Sequence, residues 1–135
     1  MKGLDTNVLA RYIAQDGEEA PAVTRFMEES CTEESPGFLC LVVVCELTWV
    51  LRRSYQYDRK AIVVILDKLL AAAEFEVEHS VVAWRALQEY ANGTADYADY
   101  VIGQICREHD AGPVVTLDKK AGQSPLFTLL DSDKH

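Results

Sequence analysis

The sequence predicts a single three-layer α/β domain: a central, mostly parallel sheet of about four to five strands, flanked by helices. Three observations carry this. Short β-branched or apolar stretches alternate with segments of helical periodicity, the pattern of a parallel sheet with crossover helices. Phe38 to Val44 is one continuous apolar run, as expected of a strand buried on both faces. Four carboxylates (Asp5, Glu46, Asp99 and Asp118) stand where a strand ends or a helix begins, at the edge where open α/β sheets bind their ligands.

Taken in order, Lys2 to Leu4 reads as a short strand, and Thr6 or Asn7 is placed to cap a helix running through Ile13. Gly17 to Ser30 has Val23, Phe26 and Met27 at helical spacing and Pro21 near its start. Thr32 to Gly37 is a loop. The strand Phe38–Val44 passes directly into a helical pattern ending near Arg53. Arg59 to Ala73 is a helix with Ile62, Ile65, Leu66, Leu69 and Leu70 on its apolar side. Phe75–Val77 is a brief strand. A helix from Val81 to Tyr90 stops at Asn92-Gly93-Thr94, where glycine ends helices well. Ala98 to His109 is helical, Pro113 to Leu117 is a strand, and Phe127 to Leu130 offers one more before a polar tail from about residue 131.

The 135 residues suffice for one domain with its own core. No apolar stretch reaches the roughly 18 residues of a membrane span, and Asp5 interrupts the place of a signal sequence. A cytoplasmic protein is expected. Cys40, Cys45 and Cys106 fall in apolar or helical patterns and read as small core residues, and no Cys-x-x-Cys pair suggests zinc or redox chemistry. The net charge of −9, from 22 acids and 13 bases, argues against broad polyanion binding. The bases cluster as Arg52-Arg53, Arg59-Lys60 and Lys119-Lys120. Lys119 and Lys120 follow Asp118 directly; with Arg52 and Arg53 they are the candidate substrate-binding cations, against the plainer reading as surface charge.

Each acid has a plain structural alternative. Asp5 suits a helix cap, although Thr6 or Asn7 would serve instead. Glu46 has Val42, Val43, Trp49 and Val50 as helical neighbours, so it is expected inside an apolar face, paired with Arg11 or Arg85, protonated, or bound to a metal. Asp96 and Asp99 share the first turn of a helix, whose dipole favours both charges. Asp118 closes a strand, with the Thr116 hydroxyl on the same side. Four acids on one sheet edge repel one another unless a cation lies between them, and a divalent metal is the simplest candidate.

In these segments the chain resembles the PIN-domain ribonucleases, and among them the VapC-type toxins of prokaryotic toxin–antitoxin pairs. The resemblance rests on Leu4-Asp5-Thr6-Asn7-Val8-Leu9, on Cys45-Glu46-Leu47, on Asp96-Tyr97-Ala98-Asp99-Tyr100-Val101-Ile102 and on Val114-Val115-Thr116-Leu117-Asp118, and it covers nearly the whole chain. It implies a PIN-like fold and an endoribonuclease in which Asp5, Glu46, Asp99 and Asp118 hold one or two Mg²⁺ or Mn²⁺ ions, with Asp96 as a direct or water-mediated ligand. Thr6, Asn7 and Thr116 would orient carboxylates or waters. The product ends would be 5′-phosphate and 3′-hydroxyl. A homodimer and a cognate antitoxin protein lying across the groove are the implied partners, and aliphatics such as Val63, Val64 and Val82 suit such a surface. Tyr100 stands where the family often has a small or aliphatic residue, a difference expected at the cleft rim. His79, His109 and His135 have no role in such a site, and Trp49 and Trp84 read as core or dimer contacts.

The rival from another class is a catalytically silent PIN-fold module that acts by binding a partner. A phosphoryl-accepting receiver domain would need a second acid after the first strand and an Asp after the third; Asp5 is alone, and Phe75–Ser80 contains no Asp. A hydrolase of the Asp-x-Asp type fails at Asp5-Thr6-Asn7 for the same reason.

Overall fold

The structure, a computed structural model, describes residues 1–130; the polar tail from 131, including His135, lies outside the described residues. The chain divides into two compact units, Met1–Ser80 and Val81–His135. The expected α/β class is what the structure has: among the described residues, six α-helices and five strands, with every strand pairing parallel. The ladders form one set of three strands and one of two.

In the first unit the order is β1 (Lys2–Gly3), α1 (Thr6–Ala14), α2 (Ala20–Ser30), β2 (Gly37–Leu39), α3 (Leu41–Arg53), α4 (Arg59–Ala71) and β3 (Phe75–Val77). Parallel neighbours need a long crossover, and each is made by a pair of helices. Lys2 lies opposite Gly37, and Leu39 opposite Val77. Gly37 is required by a close approach. A Cβ there would stand 2.8 Å from Leu4 Cδ1 and 2.9 Å from Cys31 Sγ. Leu9, Leu39, Leu47, Leu51, Ile62 and Leu66 are wholly buried and form the core. Removing any of these side chains to Cβ would cost about 2–5 kcal/mol.

The expected strand Phe38–Val44 is only partly a strand. β2 ends at Leu39, Cys40 caps, and Leu41–Val44 form the first turn of α3. The orphan N–H of Leu41 is satisfied from afar, donating to Glu78 Oε1 at 2.9 Å. That carboxylate comes from beyond β3, so no local signal marked the helix start. Val43, Val44, Leu47 and Leu51 then face the core, whereas Val42 is 66% exposed.

The second unit contains most of α5 (Ser80–Asn92), α6 (Tyr97–Glu108), β4 (Val114–Thr116), a short 3₁₀ turn (Ala121–Gln123) and β5 (Phe127–Leu129). β4 and β5 pair with Val114 opposite Phe127. Its core is aromatic: the Tyr97 ring meets the Tyr90 ring edge to face with centroids 6.0 Å apart, and its hydroxyl donates to Ala83 O at 2.9 Å. Val82 is wholly buried rather than a surface aliphatic; Val64 is exposed and Val63 half-buried. Trp84 is half-buried, and Trp49 is 37% exposed. The four cysteines are free thiols: Cys31 and Cys45 are buried, Cys40 and Cys106 half-buried.

Candidate functional site

In the first unit, β1 delivers the chain to the start of α1. Asp5 is the N-cap, its Oδ1 accepting from Thr6 N at 2.7 Å. Capping therefore falls to Asp5 itself, and the Thr6 hydroxyl is released for another task. Buried to 8% exposure, it donates to Glu46 Oε1 at 2.8 Å, joining α1 to α3. The alternative partner for Glu46 within this unit is engaged elsewhere, since Arg11 pairs with Glu19 at 3.2 Å.

Glu46 is exposed, contrary to the expectation of an acid buried in an apolar face. Its apolar neighbours Val42 and Trp49 are themselves exposed, so this stripe of α3 faces solvent and the opposite stripe faces the core. Asp5, Thr6, Asn7 and Glu46 line one cavity of about 450 Å³ together with Tyr55. The Tyr55 hydroxyl titrates above its ordinary range through partial burial and a hydrogen bond with Asp16, a loop acid that no sequence pattern singled out. The neighbouring Cys45 thiol is pushed up to about 11 by burial and by the Glu46 charge, and it stays protonated at neutral pH.

In the second unit, Asp96 and Asp99 form a capping box on α6, with Asp99 Oδ2 accepting from Asp96 N at 3.2 Å. Asp99 is half-buried. Burial first, then the charges of Asp96 and Asp118, raise its pKa, opposed by the bond from Asp96 N. Asp118 follows β4 and is exposed; its Oδ1 accepts from Lys120 N at 2.8 Å, and its own N–H donates to Thr116 Oγ1 at 3.1 Å. Thr116 therefore orients the Asp118 backbone rather than its carboxylate. Lys119 and Lys120 are exposed, as are Arg52 and Arg53 in the last turn of α3. Tyr100 is buried rather than at a rim: its hydroxyl accepts from Ala95 N at 3.2 Å, and it packs against Gly93.

One regularity unites the four acids. Each has one carboxylate oxygen fixed by a hydrogen bond (Asp5 to Thr6 N, Glu46 to the Thr6 hydroxyl, Asp99 to Asp96 N, Asp118 to Lys120 N), and among the described residues the other oxygen has no such partner. Half-anchored carboxylates of this kind, with hydroxyl neighbours and no thiolate or imidazole, are oxygen donors of the type that hard divalent cations prefer. Among the described residues no three His, Cys, Asp or Glu side chains are gathered closely enough to hold a metal as they stand.

An α/β fold of parallel strands with acids in the segments that follow them defines a recognised class, and comparison with known families places it: the PIN domain model matches residues 3–123, and the chain belongs to the PIN-domain family. The chain is also similar to a VapC ribonuclease of Aquifex aeolicus (strain VF5), at 26% identity over 99 residues that cover 73% of each protein. No solved structure gives a significant match.

Proposed function

We propose that this chain is a divalent-metal-dependent endoribonuclease, the toxin of a VapC-type toxin–antitoxin pair. Family membership and the similarity to a VapC ribonuclease support the class. The half-anchored state of Asp5, Glu46, Asp99 and Asp118 is the observation that carries the chemistry, because all four acids fall inside the matched residues.

These four acids, with Asp96 directly or through water, would hold one or two Mg²⁺ or Mn²⁺ ions. When bound, such ions supply positive charge to the phosphodiester and activate the attacking water. The chain's own residues do the rest. Thr6 fixes the direction of Glu46, Asp5 is held by the start of α1, and the capping box holds Asp99 at the start of α6. The turn at Lys120 holds Asp118. Each carboxylate is thus oriented locally, by its own element, before a ligand arrives.

On this reading both units belong to a single domain, as the unbroken family match suggests. The partners are RNA and a cognate antitoxin, the active form is a homodimer, and the compartment is the cytoplasm. Among the described residues no helix is long and apolar enough to cross a membrane. The deciding experiment incubates purified, antitoxin-free protein with total cellular RNA in Mg²⁺, in Mn²⁺ and in EDTA, beside Glu46→Gln. Metal-dependent cleavage that Glu46→Gln abolishes is the expected result. A folded protein inactive with either metal would identify a silent PIN-fold binding module instead.

A further inference from the structure

The second unit holds a cavity of about 410 Å³ that the acid chemistry does not use. Its size falls within the roughly 300–1,000 Å³ of small-ligand sites. Part of its lining is apolar, from Tyr100, Pro125 and Leu126. Two amides face it with capacity to spare. Asn92 donates through Nδ2 to Gln88 O, and Gln123 accepts the Thr94 hydroxyl at Oε1; among the described residues the Asn92 carbonyl oxygen and the Gln123 NH₂ donors have no other partner. An acceptor and a donor in a partly apolar lining match the edge and face of a nucleobase.

Two cations, Arg107 and Lys120, also line the cavity, and among the described residues neither side chain has a hydrogen bond or ion pair. The one acid in the lining, Glu89, is occupied by the Gln104 amide. On a chain of net charge −9, a lining with two cations against the single carboxylate of Glu89 is locally positive and suits one anionic group. Its walls are continuous with the acid-bearing segments. Thr94 and Tyr100 flank Asp96 and Asp99 in sequence, and Lys120 binds Asp118 through its backbone N while its residue lines the cavity.

We propose that this cavity binds one unstacked nucleotide of the RNA strand adjoining the cleaved bond, its base against Pro125, Asn92 and Gln123 and its phosphate on Arg107 and Lys120. The proposal rests on the RNA-cleaving reading, and it gives an acidic protein a grip on a polyanion. The test measures binding of a labelled single-stranded RNA 10-mer in EDTA, where no cleavage occurs, to wild type, to Arg107→Gln/Lys120→Gln and to Asn92→Trp, which fills the cavity mouth. A parallel arm titrates the four 5′-nucleoside monophosphates, and cleavage of the same RNA is followed in Mn²⁺.

The expected result is a loss of about tenfold or more in RNA affinity for both variants. For the double variant the log–log salt dependence should be shallower by about 1. Any cleavage should show a raised KM with little change in kcat. RNA binding within twofold of wild type in the double variant overturns the proposal, because both residues are exposed and their loss does not threaten the fold. If a mononucleotide competes at this cavity while RNA affinity is unaffected by the variants, the ligand is a free nucleotide and the RNA-strand assignment falls. Loss of RNA binding in the variants of a wild type that never cleaves would keep the cavity and refute the nuclease.

Discussion

Replacing Thr6 by Val tests whether the α1–α3 link sets the candidate metal site or merely decorates it. Val keeps the branched shape at the first helical position, so packing and helix propensity change little. What disappears is one hydroxyl, buried to 8% exposure, donating to Glu46 Oε1 at 2.8 Å. Hydrogen bonds to charged groups contribute about 1.5–3 kcal/mol, and solvent around the exposed Glu46 places this one near the low end. About 1.4 kcal/mol is a factor of roughly ten, at the lower edge of the 10–100-fold typical for residues that orient metal ligands. Calorimetric titration of Mn²⁺ into wild type, Thr6→Val and Thr6→Ser, with kcat/KM on a short RNA, measures it. Val should bind Mn²⁺ about tenfold more weakly and melt roughly 4–8 °C lower, because the same hydrogen bond also stabilises the fold, and Ser should recover most of both losses. Equal Mn²⁺ affinity in Val and wild type would refute the reasoning, and so would a loss in Ser as large as in Val.

Asp99→Asn should raise the melting temperature in EDTA at pH 7. The folded pKa of Asp99 is raised, so the stability it contributes is present below its ordinary unfolded value and is lost as pH rises through the folded value. The difference from wild type should therefore close as pH falls toward about 4, and added Mn²⁺ should stabilise wild type more than the variant. Removing the distant cap with Glu78→Ala leaves Leu41 N to water and should cost about 1 kcal/mol, read as a fall of roughly 3–5 °C in melting temperature. Gly93→Ala should cost more, about 2 kcal/mol, because the new methyl meets the buried Tyr100 hydroxyl and displaces it from Ala95 N. Tyr100→Phe in the same chain should return part of that loss in urea unfolding.

The short strand–helix alternation was legible because periodicity is local, and Asp5, Asp99 and Asp118 do stand at a helix start or after a strand, whereas Glu46 lies in the second turn of α3 because Leu41–Val44 are helical. Burial was less legible. Glu46 has apolar neighbours on α3, but the helix is apolar nearly all round, and only packing decides which side is covered. For the same reason Leu41–Val44 resembled a strand continuing from Phe38. Its conversion to helix depends on a carboxylate 37 residues away. Asn92-Gly93-Thr94 was read as a helix stop and does end α5, yet Gly93 is demanded by the Tyr100 hydroxyl, a tertiary contact. Arg107 gave no sequence signal at all, since its importance comes from lining the same cavity as a lysine 13 residues on.

If Asp5 both caps α1 and serves the proposed metal site, an evolutionary consequence follows. One of its oxygens starts a helix, so drift that removes it damages folding together with chemistry, and such chains are eliminated whether or not their activity matters. Glu46 carries no such double load: it is exposed, mid-helix and, among the described residues, held by the Thr6 hydroxyl alone. A lineage released from the need to cut RNA would be free to lose Glu46 at little thermodynamic penalty while keeping Asp5, so position 46 is where inactive descendants of this fold would first betray themselves.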